Sequence, residues 1–531
     1  MGSFIELTGD NFAHQIVQFG YFAEQIPECF NADLLMPYLN DLISIVCTGK
    51  NQLDKKVSKY TLPTTLSTYK NDISRRIISI PNPKAYMRLV KFISENWSEI
   101  KKFAISKNSQ SPITYIHQYT NVDTENLNSE NVRVSKNSKS DLIDGIKECI
   151  KISLGYKYRL KVDIANFYNT IYTHSVSWAI CGKDEAKKYM LTKQPIALKN
   201  SYDLADKLDT FTTFLKNGET NGIVIGPFTS RIFSEIILAR LDKDLKQERF
   251  KFRRYVDDYK FYFRSEAQAQ ESILRIERIL NSYNLNLNME KTEIKRYPYE
   301  VINSMYEVYQ NAILRDGVFG VLNAASVFHT NGEVGAYKYA LKFIQNHVPL
   351  KHDLGLVVSE LTNIMLMNPK LGKLIVPYLK KIVKNDYRED LTKVYNSELT
   401  SSLKNKLQEE SLLFIYILRE LSLDIYVINL QKIISGNNDL SIIVALDIWK
   451  NRRNTVRCNN KATTNINKQI SVLADSLNGE KYSGSRWLLL HEIHMHSLIK
   501  KTLMPNIEMD DFFHKLSELN ISFYHGLGNN T

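Results

Sequence analysis

The chain has 531 residues, and 69 Lys and Arg stand against 57 Asp and Glu for a formal net charge of +12. This length predicts several domains, at about 100 to 200 residues apiece, and the positive balance suits a polyanionic partner. Five scattered cysteines, Cys29, Cys47, Cys149, Cys181 and Cys458, odd in number and without CxxC spacing, argue against a disulfide framework or a zinc knuckle and predict a reducing cytoplasm. No apolar run approaches the ~18 residues of a membrane span, and the start, Met1 to Glu6, has no basic region leading into an apolar one, so no membrane partner is expected.

In chain order, a first segment runs to about Tyr60. Tyr86, Leu89, Val90, Ile93, Trp97 and Ile100 then recur at helical spacing and predict one helix over Ala85 to Phe103. Asn121 to Ser140, rich in Asn, Ser and Lys, reads as an exposed loop or insertion. Ser153 to Ile294 has a strand-helix-strand-strand character, a split βαβ pattern. From about Tyr299 the pattern turns helical, with amphipathic segments such as Leu371 to Lys384 and Ser411 to Ile434 joined by short connectors. No strict repeat is present, so a stack of helix pairs is expected from the density of the helical pattern.

The residues with chemistry lie in the middle region. A short apolar strand runs through Leu160 and Val162 into Asp163. Farther on, Arg254-Tyr255-Val256-Asp257-Asp258 sets two adjacent acids where a hairpin would turn, because Phe252 before and Tyr259, Phe261, Tyr262 and Phe263 after have high β-propensity. Acids converging from separate strands are what in-line phosphoryl transfer with two metals needs. Mg²⁺ takes carboxylates together with waters and phosphates, and the absence of nearby His or Cys makes zinc a poor fit. The plainer reading of Val-Asp-Asp is a turn between surface strands. Gly222 and Gly226 flank Ile-Val-Ile and are expected to let a template or incoming base approach the backbone, with a tight turn before a helix as the alternative. Ser230 is expected to cap that helix, whose core face holds Phe233, Ile236 and Ile237. Late in the chain, His491-Glu492-Ile493-His494-Met495-His496 misses the HExxH pattern because Met stands at 495, and it reads as surface histidines on a helix. Arg452, Arg453, Arg457 and Lys461 read as an exposed linker ahead of a phosphate grip.

These motifs together resemble the reverse transcriptases. Asp163 to Tyr168 is similar to that family's first acidic motif, Asn221 to Ser230 to its Gly-rich second motif, Tyr255 to Asp258 to its YxDD box, and Leu285 to Thr292 to its fourth motif, in the expected order. Ser74 to Pro83 and Ile171 to Ile180 resemble the bacterial abortive-infection and defence-associated branch, although Asn169-Thr170 stands where those relatives often have Pro-Ser. The resemblance implies an α+β fold: a right-hand polymerase with fingers (61–152) and palm (153–298) after an N-terminal segment (1–60), followed by an all-α, helical-repeat-like C-terminal domain (299–531). It implies that Asp163, Asp257, Asp258 and the backbone of Ile164 hold two Mg²⁺ ions, with Mn²⁺ as a substitute. It further implies that Tyr168, with Phe167, Gly226 and Pro227 around it, receives the deoxynucleotide and excludes a ribose. Arg75 and Arg76 would contact the triphosphate, as suits a guanidinium fork, and Lys291 would give a proton to the pyrophosphate. The implied partners are deoxynucleoside triphosphates, a DNA product that in some relatives is attached to a tyrosine of the protein itself, in other relatives a non-coding RNA template, and further copies of the chain. The implied setting is cytoplasmic antiphage defence. A retron- or intron-type mobile-element polymerase and a non-catalytic nucleic-acid scaffold stand as alternatives. The mild charge beyond residue 300 disfavours an intron enzyme, and three intact acids disfavour the scaffold.

Overall fold

The computed structural model of the chain describes residues 9–47, 60–71, 74–110, 139–299, 305–333, 335–456, 459–504 and 510–527. The loop expected at 121–140 lies outside them, apart from Lys139 and Ser140, which open the helix Lys139–Ile152.

Two antiparallel sheets carry the strands. β1 (Thr64–Tyr69) and β2 (Arg75–Ile80) form a hairpin in which Leu66 pairs with Ile78, both buried. β3 (Tyr158–Asp163), β4 (Phe252–Tyr255), β5 (Asp258–Phe263) and β6 (Glu293–Arg296) form the second sheet in the order β4-β5-β3-β6. Only the apolar face of this sheet needs cover, and the helices Phe228–Gln247 and Glu266–Asn281 supply it: Val162, Tyr259 and Phe261 meet Leu245, Ile276 and Leu280 there.

The helix expected over Ala85 to Phe103 is two helices, Pro83–Glu95 and Trp97–Ala104. Asn96 leaves helical geometry between them (φ −109°, ψ 14°), with its side chain donating to the Phe92 carbonyl at 2.8 Å, a local bond typical of Asn. All six residues of the expected core face are nonetheless buried. Ser411 to Ile434 is likewise divided, into Gln408–Glu420 and Val427–Ile434, because Ser422 takes a left-handed φ of 52° between them. The helix read over Leu371 to Lys384 spans Gly372–Ile382.

Every regular element described from Met305 to Glu518 is helical, and each helix packs on its next one or two neighbours in sequence. One continuous core, reaching from Phe12 to Tyr524, joins these helices to the sheets and to the N-terminal helix Gly9–Gly20. Among the described residues no helix is long and apolar enough to cross a membrane.

Candidate active site

The β3–β5 register sets Asp163 directly opposite Asp258, while Asp257 sits in the two-residue turn that joins β4 to β5. Neighbouring strands lie only ~5 Å apart, so Asp163 and Asp258 stand side by side at the strand ends, with Asp257 on the adjoining turn. Two of these acids, Asp257 and Asp258, sit above the usual carboxylate range. Burial raises the Asp257 carboxyl and the charges of Asp163 and Asp258 raise it further, to about 6, while burial and Asp163 raise Asp258 as well.

Lys291, on a single helical turn before β6, places Nζ 3.0 Å from Asp163 Oδ2, and Asn288 Nδ2 donates to the same oxygen at 3.0 Å. Lys161 stands 3.8 Å from Asp258. Ile164 pairs with Leu287 in a bridge whose bonds are made by its neighbours: Asn288 N–H donates to the Asp163 carbonyl and Ala165 N–H to the Asn286 carbonyl. In an antiparallel ladder the Ile164 carbonyl then points to the other side, that of the Asp257 turn. Oxygen donors alone, under mutual repulsion, suit a hard divalent cation. Among the described residues no three His, Cys, Asp or Glu side chains are close enough to form a ready-made cage.

A second flank of the site is built by backbone pairing. Ile223 N–H donates to the Tyr168 carbonyl at 2.9 Å and Ser79 N–H to the Ile225 carbonyl at 2.7 Å, so the Tyr168 turn, the Gly-rich loop and β2 lie side by side. Tyr168 is half-buried in the helical turn Phe167–Thr170, where burial raises its hydroxyl and Arg231 and Asp257 lie within electrostatic reach. Phe167 is buried beside it at 5.3 Å between ring centroids.

The close approaches at the glycines are made by the chain itself. A Cβ on Gly222 (φ 77°) would meet the Asn169 carbonyl at 2.7 Å, and one on Gly226 (φ 132°) the Ser79 carbonyl at 3.0 Å. Pro227, not Ser230, occupies the N-cap of the Phe228–Gln247 helix; Ser230 is buried within its first turn and makes no cap. Beside Gly226 opens a small recess lined by Glu24, Phe228, Arg231 and Lys373. Burial raises the Glu24 carboxyl, but Lys373, Lys338 and Arg231 bring it down to about 2.

Arg75 does not stand free: Glu410 holds it with two bonds of 2.5 and 2.7 Å. Arg76, next to it, is exposed. The late basic and histidine clusters match their expected roles only in part: Arg453, Lys461 and His494 are exposed, whereas Arg452, His491 and His496 are not. His491 and Glu492 are fully buried, with His491 Nε2 on the Ile521 carbonyl and Glu492 on Ser522 and Phe523, so they are core groups and not surface ones. Arg452 caps the Arg419 carbonyl, Arg453 lies over Trp449, and Lys461 is in the helix Asn460–Leu477; Arg457 lies outside the described residues.

Sequence reasoning missed Asn288 and the partners of Arg254. The signal for Asn288 lay in its place within the fourth motif, whereas nothing local marks Glu235 and Asp242, which meet Arg254 only in the fold.

Residues 69–311 match the family model described as Reverse transcriptase (RNA-dependent DNA polymerase). The chain therefore carries a reverse-transcriptase domain, and its enzymatic class is that of an RNA-directed DNA polymerase, a nucleotidyltransferase. Similar solved structures include apo telomerase from Candida Tropicalis, at 14% identity, covering 72% of this chain and 74% of that one with a TM-score of 0.31. Telomerase from Candida albicans in complex with a fragment of telomeric RNA is also similar, at 14% identity over 70% and 73% of the two chains, with a TM-score of 0.27. No curated protein matches the chain.

Proposed function

We propose that the chain is a cytoplasmic, Mg²⁺-dependent DNA polymerase of antiphage defence that adds deoxynucleotides to a growing strand. The observation that carries the chemistry is the register that brings Asp163, Asp257 and Asp258 to one sheet edge with Lys291 3.0 Å away. Two Mg²⁺ ions, or Mn²⁺ in their place, held by these carboxylates and the Ile164 carbonyl, would activate the attacking hydroxyl and neutralise the triphosphate.

The chain's own residues do the rest. Tyr168, backed by Phe167, packs beneath the incoming sugar and excludes a 2′-hydroxyl. Gly226 and Pro227 set the floor of the nucleotide site and the start of the helix behind it. Arg76 reaches the triphosphate from β2, while Arg75 anchors that strand to Glu410. Lys291 holds a proton at Nζ and passes it to the departing pyrophosphate.

The defence role rests on the resemblance of residues 74–83 and 171–180 to abortive-infection enzymes. In that reading the DNA is started on one of the chain's 30 tyrosines and extended without a template, by an assembly of several copies. A second reading, copying of an associated non-coding RNA, is favoured by the RNA-dependent family that residues 69–311 match.

Asp257→Asn and Asp163→Asn should each abolish nucleotide incorporation by the purified protein while leaving its circular dichroism and melting cooperative. Undiminished incorporation in either variant removes that acid from the mechanism. Protein purified from cells and digested separately with RNase and DNase distinguishes the two modes: covalent DNA supports the first, a defined copurifying RNA the second.

A further inference from the structure

Arg254 is fully buried, and every one of its five N–H donors is used. Nε bonds Asp242 at 3.0 Å and Nη2 bonds Asp242 and Glu235 at 3.0 Å each. Nη1 bonds Glu235 at 2.9 Å and, with its last proton, the main-chain carbonyl of Val256 at 3.0 Å. Both carboxylates come from one face of the Phe228–Gln247 helix and are themselves buried. The main chain of Arg254 is fixed as well, since its N–H donates to the Asn108 carbonyl at 2.9 Å and its carbonyl accepts from Gln110 N–H at 2.7 Å.

The acceptor is the unusual part. Val256 has a φ of 52°, a left-handed conformation in which a β-branched residue is a genuine outlier and which persists only where the surroundings enforce it. The Val256 carbonyl belongs to the peptide that leads into Asp257. Whatever holds that oxygen sets the direction in which Asp257 leaves the turn.

We infer that Arg254 is a positioning residue for the reaction: seated on Glu235 and Asp242, it holds the Val256–Asp257 peptide and thereby aims the Asp257 carboxylate at the metal-binding edge. Stability alone does not call for this arrangement. One cation against two buried carboxylates leaves a net negative charge in the interior, and buried ion pairs of this kind often match no more than an apolar replacement in stability. The inference rests on the assignment of Asp257 as a metal ligand.

The test compares wild type, Arg254→Lys and Glu235→Gln, with Asp257→Asn as reference. Lysine keeps the charge but has three donors in place of five, so it cannot serve both carboxylates and the Val256 carbonyl. Glu235→Gln loosens the seat and leaves the bond to Val256. With Arg254→Lys, kcat should fall about a hundredfold, the order expected for a misplacement of about 1 Å, with KM for the deoxynucleotide near the wild-type value. Mn²⁺ affinity, read by electron paramagnetic resonance without substrate, should fall about tenfold, and hydrogen exchange should rise at the 255–258 turn ahead of the flanking strands. Glu235→Gln should lose comparable thermal stability with a far smaller loss of kcat. If Arg254→Lys does not fold, Asp242→Asn replaces it, with the same three effects at lower amplitude. Unchanged kcat and Mn²⁺ affinity in the folded variant, with Asp257→Asn inactive, overturns the inference, as does a parallel fall of stability and kcat across all variants. An active Asp257→Asn overturns the metal-ligand assignment instead.

Discussion

At the scale of single residues, Tyr168 offers a test of selectivity rather than of loss. Its side chain is half-buried, and its main-chain carbonyl pairs with the Gly-rich loop through Ile223 N–H. Shrinking it to Val opens room for a 2′-hydroxyl and leaves the three acids untouched. Ribonucleotide use should then rise relative to deoxynucleotide use by roughly tenfold to a hundredfold in kcat/KM, which corresponds to about 1 to 3 kcal/mol. Paired competition assays on wild type and Tyr168→Val decide it, and an unchanged ratio sinks the gate while leaving the polymerase standing. The placement of Asp163, Asp257 and Asp258 at a strand end and a hairpin turn was legible in the sequence, because local propensity marks such positions. Arg75 was not, because Glu410, which takes it up, lies 335 residues away.

At the scale of elements, the β1–β2 hairpin is gripped by the helix Gln408–Glu420. Ser67 N–H donates to Gln408 Oε1 at 2.7 Å and Tyr69 N–H to Glu409 Oε2 at 2.5 Å, so helix side chains complete the open edge of β1. Burial lifts the Glu409 carboxyl to about 7, above the 4.5 of an ordinary Glu, with Glu410 pushing the same way. A carboxyl raised in the folded state favours folding while it is protonated. That contribution is complete below about 4.5 and is lost as the pH rises through about 7. Glu409→Gln, which still offers Tyr69 an acceptor, should therefore be more stable than wild type at pH 8.5, by about 1 to 3 kcal/mol. The advantage should shrink as the pH falls through 7 and vanish near 4.5. Thermal melts of both proteins between pH 4.5 and 9 check this, and a pH-independent difference would refute it. The hairpin itself was readable from its alternating residues, but its edge partner was not, because a helix face carries no mark of the strand it will cover.

At the scale of the whole molecule, the two ends of the chain close on each other. Asn31 N–H donates to the Phe523 carbonyl at 2.9 Å and His525 N–H to the Cys29 carbonyl at 2.7 Å, while Phe523 lies 5.6 Å from Tyr21 and 5.4 Å from Trp487. Phe523→Ala should cost about 3 to 5 kcal/mol, as for other large-to-small core changes. Chemical denaturation measures it, and a loss below about 1 kcal/mol would mean that this closure is dispensable. Truncation near Tyr299 removes the helices that grip β1 and the lysine that pairs with Glu24. The remaining fragment should expose apolar surface and prove aggregated or inactive in size-exclusion and incorporation assays. A soluble, fully active fragment would show that fingers and palm suffice.

Sequence alone pointed to the class of chemistry, to the candidate acids, to the strand-helix-strand-strand run that contains them and to the helical nature of the C-terminal part. Those features depend on spacing of a few residues, where local propensity and period decide. Tertiary structure alone decided that Arg75 serves Glu410, that His491 is a core group, that the glycines make room for the chain's own backbone, and that Arg254 is seated on Glu235 and Asp242. Each of these depends on a partner brought close by packing, and a polar side chain has no preference for one partner over another until folding removes water and leaves a single group within reach.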